Sequence, residues 1–346
     1  MLRSSLGILA MVVVFLSLLL LLPLASRFGI TFYLWRSSHY LKGWTSLPYT
    51  YDVSPTGDTI VFTGDGAGGR DLYLLETSSR QIRRLTQSDG FEHEVRFLSE
   101  HMVVVSIAEV PEHPLTSKHL YLVDIRNGAI RKLTDENRTY DGDPIPLSSH
   151  EILFQRTKIE YTMKPWGLEV DGSDPHWYVL DIRNGASQQV ATQDFYLEDG
   201  FVNAIFQDRQ RILETSIIGN RHDLFLRYLS VPIGNLPIRS KRSLRLARNG
   251  RDAALSPDEQ SICYVSDNPT KGQCSLLRMD LKSRQTTQLL SRDQFLTSLR
   301  LRGQWLFFVE GKGDQVSLWR LHTQSKKLEQ LLSPAQFANP PREKRS

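Results

Sequence analysis

The sequence has few of the residues that mark several common classes of protein. Two cysteines among 346 residues exclude a disulfide-rich scaffold and a four-cysteine zinc site. Lys and Arg number 42 against 38 Asp and Glu, and the resulting net charge of +4 is too small to indicate nucleic acid as a partner. The sequence contains no Gly-x-Ser-x-Gly motif, the nucleophile elbow of many hydrolases. Hydrophobic residues, at 40%, still allow a sizeable core.

A long hydrophobic run covers residues 6–25. In a helix, 20 residues rise about 30 Å, which is the thickness of the hydrocarbon core of a bilayer. We therefore predict a short tail at 1–5, a transmembrane signal anchor at 6–25 and an interfacial linker at 26–47. A cleaved signal peptide is the main alternative and a buried core helix another. Signal peptides usually have an apolar region of about 7–15 residues followed by a small-x-small cleavage site. The run here is longer, and the nearest candidate site begins with Pro23 instead of a small residue.

The orientation of this helix does not follow from charge counting. Arg3 precedes the run, and Arg27, Arg36 and Lys42 follow it, so the positive-inside rule gives no clear answer. Long domains cross membranes largely regardless of their charge. We therefore predict a single-pass membrane protein whose large domain lies on the extracytoplasmic side, in a periplasm or outside the cell.

A repeat occupies the rest of the sequence. Each unit contains an apolar run, such as TIVFTG or MVVVSI, followed by a hexad and then by a pair such as Leu85-Thr86. Six hexads recur at intervals of 42–57 residues, beginning at Asp71, His119, His176, Asp223, Ser275 and Ser317. Self-similarity at such a period indicates a repeat architecture.

Each unit is interpreted as four short strands, which in the first unit cover about residues 49–53, 59–63, 72–76 and 82–85. Four strands in every repeat are typical of a β-propeller. We predict an all-β fold, a six-bladed β-propeller at 48–333 with four antiparallel strands per blade, followed by a disordered tail at 334–346. Each blade is expected to come from consecutive sequence. The alternative is that residues 30–35 cross over to the last blade.

The segment SPTGDTIVFTGDGAGGRDLYLLETSSRQIRRLT at 54–86 resembles the TolB-type propeller repeat, which is also found in the propellers of prolyl-oligopeptidase relatives. The shared pattern is Ser-Pro-Asp-Gly, an apolar strand, a Gly-containing hairpin, Ile/Leu-Tyr-x-x-Asp and Leu-Thr. The resemblance covers about residues 48–333 as a repeat. It implies the fold alone, because the N-terminal domain of TolB and the hydrolase domain of the peptidases are not matched. Neither a Tol–Pal role nor peptidase activity follows from it.

Acidic residues are concentrated between the units. We expect the connections that carry Glu92, Glu94, Asp141 and Asp143 to surround one mouth of the central channel. A ring of carboxylates can hold a hard cation such as calcium, but no Asp-x-Asp-x-Asp-Gly spacing occurs, and solvated loops are the competing interpretation. The nine histidines have no metal-ligand spacing. We therefore predict no metal site and no cofactor.

Two further segments are candidate binding surfaces. Residues 237–251 contain six cations and no acid, which suits anionic headgroups or an acidic partner; a polar outer strand is the alternative. The basic patch comprises Arg239, Lys241, Arg242 and Arg245. Long hairpins are expected at 107–118 and 157–175, and long loops on a rigid scaffold are often functional. Pro165 and Trp166 are candidates for a rigid anchor in a partner interface, unless the loop folds back over its own blade.

Cys263 and Cys274 are expected on the two middle strands of the fifth unit. A four-residue loop at 267–270 would place them directly opposite each other, at a Cβ separation of about 4.5–5.5 Å. A disulfide requires about 3.5–4.5 Å, so a slightly strained bond and a pair of reduced, packed thiols remain the two alternatives.

These features predict a membrane-anchored, extracytoplasmic propeller that acts as a protein-binding or scaffolding module, with its small-molecule ligand unknown. A subunit of a larger membrane complex and a propeller hydrolase or lyase are the alternatives. The partner is expected on the face that carries both long hairpins and the acidic connections, with Arg248 and Arg251 adding positive charge across the ring.

Overall fold

The computed structural model describes residues 50–65, 69–87, 90–109, 117–164, 167–172, 176–190, 200–219, 221–234, 240–268, 272–312, 315–338 and 340. The predicted membrane helix and linker lie outside these residues. Within the described ranges, no helix is both long enough and apolar enough to span a membrane.

The described strands form groups of four along the chain. The first group comprises β1 (Tyr51–Val53), β2 (Thr59–Asp65), β3 (Arg70–Glu76) and β4 (Ile82–Arg84). The second comprises β5 (Phe91–Phe97), β6 (Met102–Ala108), β7 (Lys118–Asp124) and β8 (Ile130–Lys132). The third comprises β9 (Thr139–Pro146), β10 (Glu151–Lys164), β12 (His176–Asp181) and β13 (Ser187–Gln189), with β11 (Gly167–Gly172) as an extra strand.

The remaining groups follow the same order. The fourth comprises β14 (Gly200–Ile205), β15 (Arg211–Ile218), β16 (Arg221–Leu229) and β17 (Ser240–Arg248). The fifth comprises β18 (Gly250–Leu255), β19 (Ser261–Asn268), β20 (Gln273–Asp280) and β21 (Thr286–Arg292). The sixth comprises β22 (Leu296–Arg302), β23 (Trp305–Glu310), β24 (Ser317–His322) and β25 (Leu328–Leu332).

Every group is an antiparallel sheet of consecutive strands, as the repeat predicted. The last three groups are separate four-stranded sheets, whereas the first three are joined by two single parallel contacts, Arg70 with Phe91 and Lys118 with Tyr140. Each predicted hexad lies on the third strand of its group. The described strands thus confirm an all-β fold with several four-stranded antiparallel sheets.

Apolar side chains are buried between neighbouring groups. The second strands are short apolar runs because both of their faces are covered, as β2 illustrates. Its Ile60 and Phe62 pack with residues of the sixth group, including Phe307, whereas its neighbour Val61 packs with residues of the second group such as Val103. Four further clusters join the second group to the third, the third to the fourth, the fourth to the fifth and the fifth to the sixth.

The first strand of each group is called here its inner strand: β1, β5, β9, β14, β18 and β22. Inner strands contact each other in the pairs β1 and β5, β5 and β9, β14 and β18, and β18 and β22, and β1 also contacts β22. Because strand direction alternates within a group, the inner strand begins at the same end as the hairpin between the second and third strands. We call this the entry end of the group and the other the opposite end.

The C-terminal segment departs from the predicted disordered tail. Residues Pro334–Ala338 form a short helix, α1. Phe337 is fully buried and its ring meets that of Phe62 edge-on, with 5.6 Å between centroids. The helix α1 therefore packs one aromatic side chain into the core shared by the first and sixth groups.

The predicted pairing of the two cysteines is wrong. In the observed register Cys263 lies opposite Arg278 and Cys274 opposite Asp267, because the loop begins after Asn268. The two cysteines are thus four residues apart along the ladder, about 13 Å at the rise of a strand, which is beyond the reach of a disulfide. Both thiols are free and buried.

Candidate functional site

Polar residues occupy bulges in the inner strands. Five of the inner strands have one extra residue inserted relative to the second strand with which they pair. These strands are β5, β9, β14, β18 and β22. Bulges redirect side chains and are frequent near functional sites. Three bulge residues have positive φ: Asp143 at 48°, Asp252 at 48° and Ser298 at 57°. The residues in the bulges include His93, Glu94, Asp143, Asn203, Asp252 and Ser298.

Several bulges also link neighbouring groups. The carbonyl of His93 accepts a hydrogen bond from the Thr50 hydroxyl, and Asn203 Oδ1 accepts one from the amide of Ala253 at 3.0 Å. Asp252 Oδ2 accepts one from the Thr297 hydroxyl at 2.9 Å. The Ser298 carbonyl accepts a hydrogen bond from the Tyr51 hydroxyl, which joins the sixth group to the first.

A charged cluster lies where the second and third groups meet. Lys118 Nζ is 2.9 Å from Glu94 Oε2 and 3.8 Å from the centroid of the Tyr140 ring. Ser106 donates a further hydrogen bond to Glu94. Gly142 leaves room for the ammonium, because a Cβ atom there would lie 3.0 Å from Lys118 Nζ. The Lys118 side chain is fully buried, whereas Glu94 retains partial access to solvent.

The ionisation of this cluster follows from burial and charge. Burial alone would raise the pKa of Glu94, but Lys118, His93 and Ser106 lower it to about 2. Burial and then the Lys118 charge lower the pKa of His93 to about 4. Desolvation and then the negative charge of Glu94 raise the pKa of Asp143, although its side chain reaches solvent. At neutral pH, Glu94 and Lys118 are therefore both charged, and His93 is neutral.

Two acidic candidates are structural. Glu92 and Asp141 lie on the strands β5 and β9, and both are completely buried, contrary to their predicted place in solvated connections. Glu92 accepts a hydrogen bond from Thr86 at 2.8 Å. Asp141 forms a two-bonded ion pair with Arg156, at 2.7 and 2.9 Å. Neither carboxylate is accessible to a partner.

The two basic candidates near the fifth group differ in their exposure to solvent. Arg251 is buried, contacts both Asp267 and Asp252, and donates to the Leu296 carbonyl at 2.7 Å. It therefore holds the fifth group against the sixth, and its side chain is not exposed to a partner. Arg248 ends β17 and is exposed.

The basic patch lies on an outer strand, as its alternative interpretation proposed. Lys241, Arg242 and Arg245 are exposed on β17. Arg245 pairs with Asp223 at 3.3 Å, and Arg239 lies outside the described residues. The expected loop at 157–175 is instead largely strand, because β10 continues to Lys164 and β11 pairs with it. Pro165 and Trp166 lie outside the described residues.

Sequence reasoning did not identify three charged residues that lie on the inner strands or pair with them: Lys118, Arg96 and Arg300. Lys118 precedes a recognised hexad, and the two arginines alternate with buried residues on β5 and β22. That alternation is a signal that sequence alone contains. Among the described residues, no group of three His, Cys, Asp or Glu side chains is arranged to hold a metal ion.

Solved structures share this fold. TolB from Acinetobacter baumannii matches with a TM-score of 0.56 at 17% identity, over 81% of this chain and 65% of that chain. A putative TolB from Agrobacterium tumefaciens matches with a TM-score of 0.50 at 12% identity, over 75% of this chain and 86% of that one. A variant of the AtxE2 isopeptidase with Astexin3-dC4 bound gives 0.51 at 10% identity, over 84% of this chain and 51% of that one.

These similarities show a β-propeller with TolB-like repeats, a fold that propellers of the prolyl-oligopeptidase family share. The chain spans about two thirds of the length of Acinetobacter TolB and about half of the isopeptidase. No family model matches the sequence. No curated protein matches it either.

The Glu94 pair predicts a specific acid sensitivity. The pKa of Glu94 is lowered in the fold to about 2 from an ordinary 4.5, so its contribution to stability is present above the ordinary pKa and is lost as the pH falls towards the lowered one. We expect Glu94→Gln to reduce the decrease in stability between about pH 5 and pH 3. Urea unfolding of the full chain at several pH values measures this slope.

Glu76→Gln is the matched control, because Glu76 is an exposed carboxylate at the end of β3. It should retain the acid sensitivity of the wild type. Equal slopes for Glu94→Gln and the wild type would show that the pair does not contribute in this way.

Proposed function

We propose that this protein is a closed six-bladed propeller, anchored by the hydrophobic segment 6–25 outside the cytoplasm, that binds a partner protein at its entry ends. The six apolar clusters support closure, because the last of them joins the sixth group to the first. Several titratable groups of the inner strands, among them Glu94, Asp141, Arg251 and Asp52, form ion pairs with side chains of the same or a neighbouring group. Such pairing suits binding and scaffolding more than acid-base catalysis.

The observation that carries the binding proposal is a pair of exposed apolar side chains at the entry ends, one on the fourth group and one next to the sixth. Ile218 ends β15 at its hairpin and is 40% exposed, and Phe295 precedes β22 and is 36% exposed. Exposed apolar side chains beside charged ones are typical of protein interaction sites. Arg248 and Lys312 add exposed positive charge at the same ends of their groups.

Charge is distributed unequally over these ends. At the entry end of the second group, Glu109 and Asp135 are exposed and share Lys132. The positive charges of Arg248 and Lys312 belong to the fourth and sixth groups. Such a separation of charge would orient an approaching partner and raise its association rate more than its final affinity.

A subunit of a larger membrane complex remains the second candidate. The same exposed apolar residues favour it, because they would be covered permanently in an assembly. The size and stoichiometry of the complexes recovered from solubilised membranes distinguish a permanent assembly from a transient partner.

Anchoring predicts that the full chain stays in the membrane after carbonate washing and retains its N-terminus. Leu19→Arg should release the protein or impair its insertion, since a charged residue at the centre of a membrane helix costs about 2.5–3.5 kcal/mol. Fractionation and N-terminal sequencing provide the measurement. A soluble mature wild-type protein that begins near Ser26 would contradict the anchor.

The binding surface is tested by a matched pair of variants. Ile218→Ser should weaken recovery of partner proteins from detergent-solubilised native membranes about tenfold or more, since burying an Ile side chain contributes roughly 1.5–3 kcal/mol. Ile130→Ser is the control. Ile130 is 43% exposed but lies at the opposite end of its group, where β8 begins.

Mass spectrometry of the copurified proteins, with circular dichroism to verify folding, gives the readout. The Ile130 variant should recover the wild-type set of proteins. Equal recovery with both variants would move the binding site away from the entry ends.

A further inference from the structure

Two guanidinium groups share a single carboxylate where the sixth and first groups meet, and a third guanidinium lies nearby on the second group. Arg300 Nε is 2.7 Å from Asp52 Oδ1, and Arg302 lies 3.6 Å from the same oxygen. Asp52 is almost completely buried and also accepts a hydrogen bond from the amide of Phe97 at 2.8 Å. Arg96 on β5 is close enough to lower the pKa of Asp52 together with these two arginines, against the effect of burial.

Arg96 has no ion-pair partner within 4.0 Å among the residues that the structure describes. Its side chain donates a hydrogen bond to the carbonyl of the adjacent Val95 at 2.9 Å. Burial and then repulsion from Arg300 lower the pKa of Arg96 to about 10, so the group is still charged at neutral pH. A partly buried positive charge without a carboxylate is costly unless an anion neutralises it.

The other acidic groups nearby do not balance this charge. Glu94 is engaged by Lys118, and the Asp143 side chain makes no hydrogen bond within the described ranges while its pKa is raised. Counting full charges, the junction carries three positive charges against those of Asp52 and of Asp143, which is close enough to raise the pKa of Arg96. The excess faces solvent in part, because the side chains of Arg300 and Arg302 are 19% and 26% exposed.

We infer that Arg96, Arg300 and Arg302 form an anion site at the opposite ends of the inner strands, which takes a phosphate or carboxylate group of a small ligand. The planar fork of a guanidinium binds such oxyanions through two hydrogen bonds, and Arg96 retains donors that no described residue occupies. Arg300 and Arg302 would supply further charge from β22, the inner strand of the sixth group. The carboxylate of Asp52 holds Arg300 and Arg302 in place and reduces the net positive charge of the site.

A purely structural role is the competing explanation. Arg302 donates to the carbonyl of Val53 at 3.1 Å, and with Arg300 it ties the sixth group to the first. Arg96 makes no such contact between groups, so its replacement separates anion binding from ring stability.

The experiment is a calorimetric titration of inorganic phosphate into the full chain in detergent, at about pH 8 where phosphate is mainly dianionic and at constant ionic strength set with chloride. Arg96→Gln should weaken phosphate binding about tenfold, the usual effect of losing a hydrogen bond to a charged group. Arg131→Gln is the matched control, since Arg131 also donates to one backbone carbonyl, that of Ile182, but lies on the outer strand β8.

The Asp52→Asn variant should change the affinity for phosphate in the opposite direction. An asparagine can still accept the hydrogen bond from Phe97, and loss of the opposing charge should tighten phosphate binding severalfold. Acetate in place of phosphate distinguishes a carboxylate from a phosphate ligand. Absence of saturable binding of either anion, or equal weakening by the Arg96 and Arg131 variants, would overturn the proposal.

Discussion

The burial of apolar side chains between neighbouring sheets is the interaction on which the rest of the structure depends. One four-stranded sheet leaves two apolar faces, and each face is covered only by the next group along the chain or by the one before it. In β2, adjacent residues such as Val61 and Phe62 pack against different groups. At about 25 cal/mol per Å² of buried apolar area, these shared cores contribute most of the stabilisation of the fold. One face of the first group packs against the second group, and its other face is buried only by contact with the sixth.

The inner strands place polar side chains between neighbouring groups. Their bulges turn side chains away from the regular alternation, and the redirected groups bond to neighbouring groups, as Asn203 does to Ala253. Where such a bond is not made, charge is left facing the interior. Asp143 is an example among the described bulge residues. Arg96, two residues beyond the bulge of β5, adds a charge with no ion-pair partner in the described ranges, and we therefore place recognition of a small anion here and recognition of a partner protein at the entry ends.

Most of the fold was predictable from sequence, because the repeat provides several versions of the same pattern. The strands of the first group agree with prediction within two residues, and the hexads all lie on third strands. The pairing of β19 with β20 was wrong because apolar residues cover both faces of β19, so a slip in register leaves an equally apolar pattern. The helix α1 was missed because a single aromatic, Phe337, holds it in place.

The site was predicted less well than the fold. Glu92 and Asp141 look like loop acids in the sequence, but they lie on strands, where Glu92 accepts a hydrogen bond from Thr86 and Asp141 forms an ion pair with Arg156. Their partners are 6 and 15 residues away, and no local spacing indicates which pairs will meet. An inner-strand bulge adds one residue and reverses the side-chain alternation beyond it, so the interior face could not be read from periodicity.

Disulfide trapping between the first and sixth groups tests closure most directly. A Cβ atom built at Gly57 lies 3.6 Å from Cβ of Arg302, within the range of about 3.5–4.5 Å for a disulfide. In the double variant Gly57→Cys with Arg302→Cys, mild oxidation should yield an intramolecular bond, detected by mass spectrometry of the linked peptides and absent from both single variants. Closure by side-chain packing predicts nearly complete bond formation in the folded full chain. Failure of the two residues to cross-link in folded protein would contradict it.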